Sequence, residues 1–268
     1  MVLAEATRRL ASVSDSPRLD AELLLAHAIG ISRETLLLRL RDQTVPAEFE
    51  SLVARRLTHE PVAYIVGHRD FWTIELAVGP DVLIPRPDSE TLIEAAVRHF
   101  GNKGPRAVLD LGTGSGALLL AALDEWPNAT GVGIDASAAA VAVARANADR
   151  LGMSGRAEIR QGGWKEASVG RFDLVLCNPP YIGEDEPLPI DVVRFEPASA
   201  LFAGKDGLDD YRTLASLLRL PPDGIACFEI GSSQAAAVSA LFRERYFRTT
   251  IKRDLAGRDR CVIVVPET

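Results

Sequence analysis

An asparagine followed by two prolines and a tyrosine stands past the middle of this 268-residue chain, as Asn178-Pro179-Pro180-Tyr181. The asparagine side chain carries one acceptor and two donors, and Pro179 keeps its carbonyl while lacking an amide N–H. A stiff corner of this kind accepts both hydrogens of a planar NH2 group, and the tyrosine ring supports that group from one side. An ordinary turn with a buried tyrosine explains these four residues equally well, so the residues upstream decide between the two interpretations.

A glycine-rich turn lies upstream, between an apolar run and a helical pattern. It consists of Gly112, Thr113, Gly114, Ser115 and Gly116. Glycines let the backbone approach a ligand closely, and a helix that begins there presents free N–H groups. About twenty residues later Asp135 ends a second apolar run, where an acid can accept hydrogen bonds from both hydroxyls of a ribose.

The spacing of these glycines separates nucleosides from dinucleotides. It reads Gly-x-Gly-x-Gly, whereas the dinucleotide fingerprint is Gly-x-Gly-x-x-Gly, and the chain contains no Gly-Lys-Ser/Thr phosphate loop. A nucleoside that carries an amino acid therefore fits the turn better than a dinucleotide. The sequence predicts S-adenosylmethionine as the ligand, and the planar NH2 group as the acceptor of its methyl.

These two motifs and several further stretches resemble the HemK/PrmC family, the release factor glutamine-N5 methyltransferases. The resemblance covers nearly the whole chain, at residues 16–25, 60–67, 83–90, 112–116, 178–181, 195–197, 206–208, 211–212 and 256–260. The Asn-Pro-Pro-Tyr motif is shared with DNA adenine-N6 methyltransferases. The run Leu-Ile-Pro-Arg-Pro-Asp-Ser-Glu at 83–90 and the N-terminal stretches are much more specific to the glutamine enzymes.

The resemblance implies a reaction and a partner. The enzyme would move a methyl group from S-adenosylmethionine to the side-chain amide nitrogen (N5) of the glutamine in the Gly-Gly-Gln motif of class-I peptide chain release factors, leaving S-adenosylhomocysteine. We expect Asn178, Pro179 and Tyr181 to be catalytic, and these three with Pro180 to bind the substrate amide. No metal is expected, because the sulfonium of the donor is already activated.

Three other functions fit part of the sequence. Asn178 and Pro179 would accept an exocyclic amine of adenine or guanine as readily as an amide, which keeps a nucleic-acid methyltransferase as the alternative. The net charge of −7 and the lack of an appended basic domain disfavour it, because binding nucleic acid requires a dense Lys/Arg surface. The intact Asn-Pro-Pro-Tyr corner disfavours a non-catalytic binder, and the glycine spacing disfavours an NAD-dependent dehydrogenase.

The composition is that of an ordinary globular protein, with 47% hydrophobic and 25% charged residues. Its three cysteines and four histidines show no ligand spacing, so we expect neither a zinc site nor a disulfide framework. The chain has no apolar run of about 18 residues and no leader-like N-terminal segment. We therefore expect a cytoplasmic protein that does not contact membranes.

Three ranges divide the chain. Residues 1–68 have helical periodicity and predict a small bundle, for which the resemblance implies substrate recognition. Residues 69–84 alternate and predict a β-hairpin linker. Residues 85–268 alternate strand and helix patterns, which predict a mainly parallel sheet covered by helices. The resemblance makes this α/β part a seven-stranded Rossmann-like class I methyltransferase domain.

The predicted strands of this domain place the candidate residues together. They span 107–111, 130–135, 157–161, 172–178, 224–230, 248–254 and 260–265, and the last two should pair antiparallel at the sheet edge. Ligands of such sheets bind outside the carboxyl ends of the strands. The glycine turn, Asp135, Trp164 and Asn178 all follow strand ends, so we expect them to line one crevice that binds the cofactor.

One position departs from the family pattern. Gly163 stands where the family usually has an acid that accepts from the adenine amino group, although Trp164 can still pack on the adenine. The amino group is then left to water, a carbonyl or Gln161. Because a hydrogen bond contributes about 0.5–1.5 kcal/mol, we expect an active enzyme that binds the cofactor up to about tenfold more weakly.

A long segment between Tyr181 and Gly207 has no clear periodicity. It contains Phe195-Glu196-Pro197, which the resemblance assigns to a loop over the substrate glutamine. Loops of this length in a compact domain are usually functional or disordered. We expect a lid that becomes ordered with substrate.

Overall fold

Short helices form the first of two units in the computed structural model, which describes residues 2–38, 44–168 and 172–267. This unit comprises the chain up to His68 together with Leu188–Glu196. Its apolar core includes Leu10, Leu24 and Phe49. The helices are α1 (Val2–Leu10), α2 (Pro17–Ile29), α3 (Arg33–Leu38), α4 (Glu48–Leu57) and α5 (Val62–Val66).

The longest helix of this unit shows why the sequence folds locally as it does. Pro17 occupies the first turn of α2, where its missing N–H costs nothing. Gly30 ends the helix in the left-handed conformation, with φ of 77°, and its N–H donates to the carbonyls of Ala26 and His27. The buried pair Arg56–Asp20, with Nε 2.8 Å from Oδ2, ties α4 to α2.

A two-stranded sheet of β1 (His68–Phe71) and β2 (Ile74–Ala77) follows. Residues 78–86 then contain no helix or strand, and a 3-10 turn at Pro87–Ser89 leads into the next helix. Glu90, at the start of that helix, accepts a hydrogen bond from the N–H of Trp72 at 2.9 Å. The hairpin is thereby attached to the second unit, which comprises Arg69–Pro187 and Pro197–Thr268.

Seven strands form the sheet of the second unit, in the order β5-β4-β3-β6-β7-β9-β8. The first five strands of this order are parallel, and β9 pairs antiparallel with both β7 and the edge strand β8. The predicted seven-stranded architecture and its terminal hairpin are therefore confirmed. The strands are β3 (Ala107–Leu111), β4 (Thr130–Asp135), β5 (Ala157–Gln161), β6 (Leu174–Cys177), β7 (Ile225–Glu229), β8 (Phe247–Arg253) and β9 (Asp259–Pro266).

Helices cover both faces of this sheet. They are α6 (Glu90–Phe100), α7 (Ala117–Glu125), α8 (Ala138–Arg150), α10 (Asp209–Leu217) and α11 (Ala235–Arg243), while the short helix α9 (Ile190–Phe195) belongs to the first unit. Residues of α6, α7 and α8 join one apolar cluster, and those of α10 and α11 join another. The central strands contribute to both clusters in alternation, which explains their continuous apolar runs.

The register of the parallel strands brings their ends to one level. Leu111 of β3 lies opposite Ile134 of β4 on one side and Cys177 of β6 on the other. The residues that follow, Gly112 and Asn178, therefore leave the sheet beside each other. This is the geometric basis for a site at the carboxyl edge of the sheet.

The long segment after Tyr181 is divided between the two units. Ile182 forms an isolated bridge with Phe202, and a 3-10 turn spans Ala198–Ala200. The part around α9 belongs to the helical unit, where Arg194 Nη1 donates to the carbonyl of Thr58 at 3.4 Å. Closure of this segment over a substrate stays a prediction. The helices of the described ranges are all too short or too polar to cross a bilayer.

Candidate active site

A cavity of about 430 Å³ lies at the carboxyl edge of the sheet. This volume is within the range of small-molecule and cofactor sites. Most of the candidate residues line it: Gly112, Thr113, Gly114, Ser115, Asp135, Trp164, Asn178 and Pro180. Gly116, Pro179 and Tyr181 are not among the lining residues, and their contacts with ligands stay predictions.

The glycine turn is held by the neighbouring strand. The N–H groups of Gly112 and Thr113 both donate to the carbonyl of Ile134, at 2.8 and 2.9 Å. Gly112 has φ of 71°, a conformation that favours glycine. A Cβ added there would stand 3.3 Å from the Trp164 ring, so this turn approaches the opposite wall of the cavity closely.

Gly116 lies at the start of the helix that follows and is not among the residues that line the cavity. It caps α7 with φ of 88°, and an added Cβ would stand 2.9 Å from Leu120 Cδ1. The positive φ favours glycine here, and Leu120 would have to shift to admit a side chain. The structure places Gly116 behind the turn.

Asp135 connects the turn to the N-terminus of α8. Its Oδ2 accepts from the N–H of Gly114 and its Oδ1 from the N–H of Ser137, both at 2.9 Å. Each carboxylate oxygen has a further lone pair. The half-buried carboxylate can therefore hold the turn and still accept hydrogen bonds from ligand hydroxyls.

A second acid, Asp110, is buried behind the turn and was not among the sequence candidates. Its Oδ2 accepts from Thr113 Oγ1 at 2.6 Å and from the N–H of Leu119 at 3.2 Å, while Oδ1 has no partner among the described residues. Burial, opposed by these hydrogen bonds and reinforced by the charge of Asp135, raises the pKa of Asp110 to about 7. Two carboxyl groups at this end suit a ligand that carries positive charge.

Trp164 forms part of the opposite wall. It begins a 3-10 turn, and its Nε1 donates to Asp210 Oδ1 at 2.7 Å. Gly163 beside it lines the cavity and is exposed. Gln161, which we considered as a substitute partner for an adenine amino group, donates through Nε2 to the carbonyl of Ala136 at 2.9 Å, and its Oε1 is the atom that could accept from an amino group. Asp210, missed by the sequence analysis, lines the cavity and orients the indole.

The proline corner leaves two acceptors available. Asn178 Nδ2 donates to Ser89 Oγ at 3.3 Å. Within residues 2–38, 44–168 and 172–267, no group donates to Asn178 Oδ1 or to the Pro179 carbonyl. The corner thus keeps the acceptor pair that the sequence predicts for a planar NH2 group.

A buried glutamate lies behind this corner. Glu229 Oε2 accepts from Ser89 Oγ at 2.5 Å, and Oε1 accepts from Tyr181 OH at 3.4 Å. Burial raises the pKa of Glu229 to about 7, although the Ser89 hydrogen bond and the Arg260 charge lower it. Burial also raises the pKa of Tyr181, so this hydroxyl stays protonated.

Sequence analysis did not single out Ser89 or Glu229. The signal for Glu229 was present, because it ends an apolar strand in the same way as Asp135 does. Ser89 ends the 3-10 turn before α6 and carries no such signal. In the same segment Arg86 lines the cavity, and Glu90 accepts from the N–H of Trp72 in the hairpin.

Comparisons with known proteins agree with this architecture. Residues 1–67 match the PrmC N-terminal domain and residues 89–191 match the methyltransferase small domain. A methyltransferase of Pyrococcus furiosus superposes with a TM-score of 0.55 at 17% identity, covering 79% of this chain and 95% of that one. The likeness to that structure shows the fold alone. Fold and domain matches together define a class I methyltransferase, a family that implies S-adenosylmethionine as methyl donor.

Closer relatives define the family within that class. A release factor glutamine methyltransferase of Rhodospirillum rubrum is 45% identical over 257 residues, which cover 93% of this chain and 79% of the relative. Another, of Cereibacter sphaeroides, is 44% identical over 270 residues, which cover 97% of this chain and 95% of the relative. The chain belongs to the release factor glutamine methyltransferase family, which confirms the resemblance seen in the sequence.

Proposed function

We propose that this protein transfers the methyl group of S-adenosylmethionine to N5 of the glutamine in the Gly-Gly-Gln motif of class-I peptide chain release factors, releasing S-adenosylhomocysteine. One observation carries the proposal. A single cavity is bordered by the glycine turn with Asp135 and by Asn178, whose amide oxygen accepts no hydrogen bond from the described residues. Donor and acceptor sites thus adjoin at one sheet edge.

The residues of the cavity fit this cofactor. The turn Gly112–Gly116 offers a close backbone surface, and Asp135 has lone pairs for the ribose hydroxyls. The Trp164 ring offers a flat apolar face for the adenine, and Asp110 adds negative character beneath the turn. When bound, the cofactor supplies a methyl group already activated by its sulfonium.

The difficult partner in the reaction is the acceptor. An amide nitrogen is a poor nucleophile, because its lone pair is delocalised into the carbonyl. Asn178 Oδ1 and the Pro179 carbonyl accept its two N–H bonds, which aims the nitrogen and favours positive charge as it develops there. Orientation and fixed dipoles of this kind lower a barrier by several kcal/mol. Tyr181 supports the amide plane, and the methylated nitrogen releases a proton to water.

Residues 1–68 form the part that we assign to recognition of the protein substrate, residues 69–84 the linker, and residues 85–268 the catalytic domain. Exposed apolar side chains of the first range, Leu19 and Leu37 among them, suit contact with a protein. The sequence also predicts that the protein binds no nucleic acid, membrane or metal and that it is cytoplasmic. These stay predictions.

Methyl transfer to two acceptors tests the proposal. The full chain is incubated with labelled S-adenosylmethionine and either a class-I release factor or adenine-containing nucleic acid, and products are analysed by mass spectrometry. We expect one added methyl, on the glutamine of the Gly-Gly-Gln motif. Label on the nucleic acid, or none on the release factor, overturns the proposal.

A further inference from the structure

A chain of hydrogen bonds connects Asn178 to a buried carboxylate. Asn178 Nδ2 donates to Ser89 Oγ, and Ser89 Oγ donates to Glu229 Oε2 at 2.5 Å. Ser89 is 4% exposed and Glu229 is 1% exposed, so water does not compete for the bond between them. The strand register explains the arrangement, because Cys177 pairs with Phe228, and these two are followed in the chain by Asn178, just after β6, and Glu229, the last residue of β7.

The serine hydroxyl has only one hydrogen, and this determines the direction of the whole chain of bonds. An ionised carboxylate has no hydrogen to give, so the hydroxyl donates to Glu229. Its oxygen can then only accept from Asn178. The NH2 end of the Asn178 amide must therefore face Ser89, and the carbonyl end must face away from it.

We propose that Ser89 and Glu229 are positioning residues that fix the rotation of the Asn178 amide, so that its oxygen rather than its NH2 group meets the substrate. The inference rests on the proposed function, in which Asn178 accepts a hydrogen from the substrate amide. A rotated Asn178 would present donors to a substrate NH2 group that also donates. That pair makes no hydrogen bond, and the acceptor nitrogen loses its orientation.

Glu229 must be ionised for this arrangement. A protonated Glu229 donates to Ser89, which frees the serine hydrogen for Asn178 Oδ1 and permits the reversed rotation. Several groups face Glu229 from neighbouring elements: Tyr181 after β6, Tyr211 of α10, Arg260 and Cys261 of β9, and Asp88 of the 3-10 turn. Arg260 favours the ionised form and Asp88 opposes it. We expect kcat to fall as the pH drops below about 7.

Variants of Ser89 that lack or keep a hydroxyl group test whether the hydroxyl itself is needed. Ser89→Ala removes the hydrogen bond and is expected to lower kcat about tenfold, with the Kd for S-adenosylmethionine unchanged within about twofold. Ser89→Thr keeps the hydroxyl and should restore most of the rate. Ser216→Ala, an exposed serine of α10, is the matched control. A kcat of Ser89→Ala equal to that of the parent contradicts the proposal.

Glu229→Gln tests the direction of the bonds. A glutamine can donate to Ser89 and so permits both rotations of Asn178 at every pH. We expect a lower kcat and a flattened pH profile of kcat between about pH 6 and 8. Glu244→Gln, an exposed glutamate at the end of α11, should keep the profile of the parent.

A readout that does not depend on turnover separates this inference from the proposed function. In 15N-labelled protein without cofactor, the side-chain amide signal of Asn178 is identified by its absence from Asn178→Ala. We expect Ser89→Ala to shift this signal, and Ser89→Thr and Ser216→Ala to leave it in place. If the parent protein does not methylate release factors, the proposed function is wrong. If the Asn178 signal does not shift in Ser89→Ala, the positioning role is wrong.

Discussion

Two acids, Asp135 at one end of the cavity and Glu229 behind the other, accept different kinds of hydrogen bond. At the glycine turn, Asp135 accepts from two backbone N–H groups. At the proline corner, Glu229 accepts from two side-chain hydroxyls, those of Ser89 and Tyr181. Backbone N–H donors persist when the side chains that carry them are substituted, so few substitutions at the turn remove these hydrogen bonds. The corner depends on particular side chains, each of which a single substitution removes.

This difference predicts separate failures. Damage at the turn should weaken cofactor binding and leave the rate of the bound enzyme nearly intact. Damage at the corner should slow the chemical step and leave cofactor binding nearly intact. A variant that shifts both quantities equally would show that the two ends do not act separately.

Asn178→Ala is expected to have the largest effect. It removes one of the two acceptors that orient the substrate amide, and the loss of one such aimed group typically costs about 10²–10³ in kcat. Single-turnover assays with a release factor measure the rate, and calorimetry measures the Kd for S-adenosylmethionine, which should stay unchanged. Asn128→Ala, in an exposed turn, is the control. Turnover retained in Asn178→Ala would remove the proposed role of this side chain.

The two buried acids predict how the stability depends on pH. Both Asp110 and Glu229 have pKa values raised to about 7, so the folded chain binds more protons than the unfolded chain at pH 5–7. The free energy of unfolding should therefore fall as the pH rises from about 5 to 8, by roughly 3 kcal/mol at most for each acid.

Urea unfolding at pH 5.5 and pH 8 measures this dependence. Glu229→Gln at the corner and Asp110→Asn behind the turn should each reduce the fall in stability, because each removes one titrating group. Glu244→Gln should not. If both buried-acid variants keep the pH dependence of the parent, the raised pKa values do not contribute to it.

Asp135→Ala should chiefly weaken cofactor binding. It removes the acceptor for the ribose hydroxyls and leaves the N–H groups of Gly114 and Ser137 without their partner. Hydrogen bonds to charged groups contribute about 1.5–3 kcal/mol, so we expect the Kd for S-adenosylmethionine to rise about 10- to 100-fold. Calorimetry measures this Kd, with Asp223→Ala, a substitution of an exposed residue, as the control. An unchanged Kd in Asp135→Ala would count against the ribose assignment.

Gly163→Asp should have the smallest effect and the opposite sign. It restores an acid where the family usually has one, and a Cβ at Gly163 would meet no atom of the described residues within 4 Å outside its chain neighbours. We expect the cofactor to bind up to about tenfold more tightly. Gly155→Asp, equally open and outside the cavity lining, controls for the added charge. A submicromolar Kd that Gly163→Asp does not change would contradict the expectation.

Much of the fold could be predicted because its strands carry local signals. The apolar run before the glycine turn became β3 at the predicted residues, and β4 and β5 also match their predicted ranges. The strand before the proline corner was predicted too long, since β6 spans Leu174–Cys177 rather than 172–178. Asn178 and the prolines after it lie outside the ladder, because proline offers no N–H to continue it.

The partners of the site residues could not be predicted in this way. Ser89 and Glu229 are 89 and 51 positions away from Asn178, and no local pattern connects them. The Asp110 carboxyl gave no sign that one oxygen would lie buried without a partner. Gly116, Pro179 and Tyr181 were predicted to contact ligands; they are not among the residues that line the cavity, and their contacts stay predictions.

The sequence by itself determined which residues stand at the ends of strands, because glycine, proline and acids act on the backbone within a few positions of themselves. It also determined the family, through motifs that are contiguous in the chain. Only the tertiary structure decided which strand ends are neighbours, since parallel pairing joins residues distant in sequence and sets their register. That register puts Glu229 beside Asn178, and the burial of Ser89 and Glu229 shields the hydrogen bond between them from water.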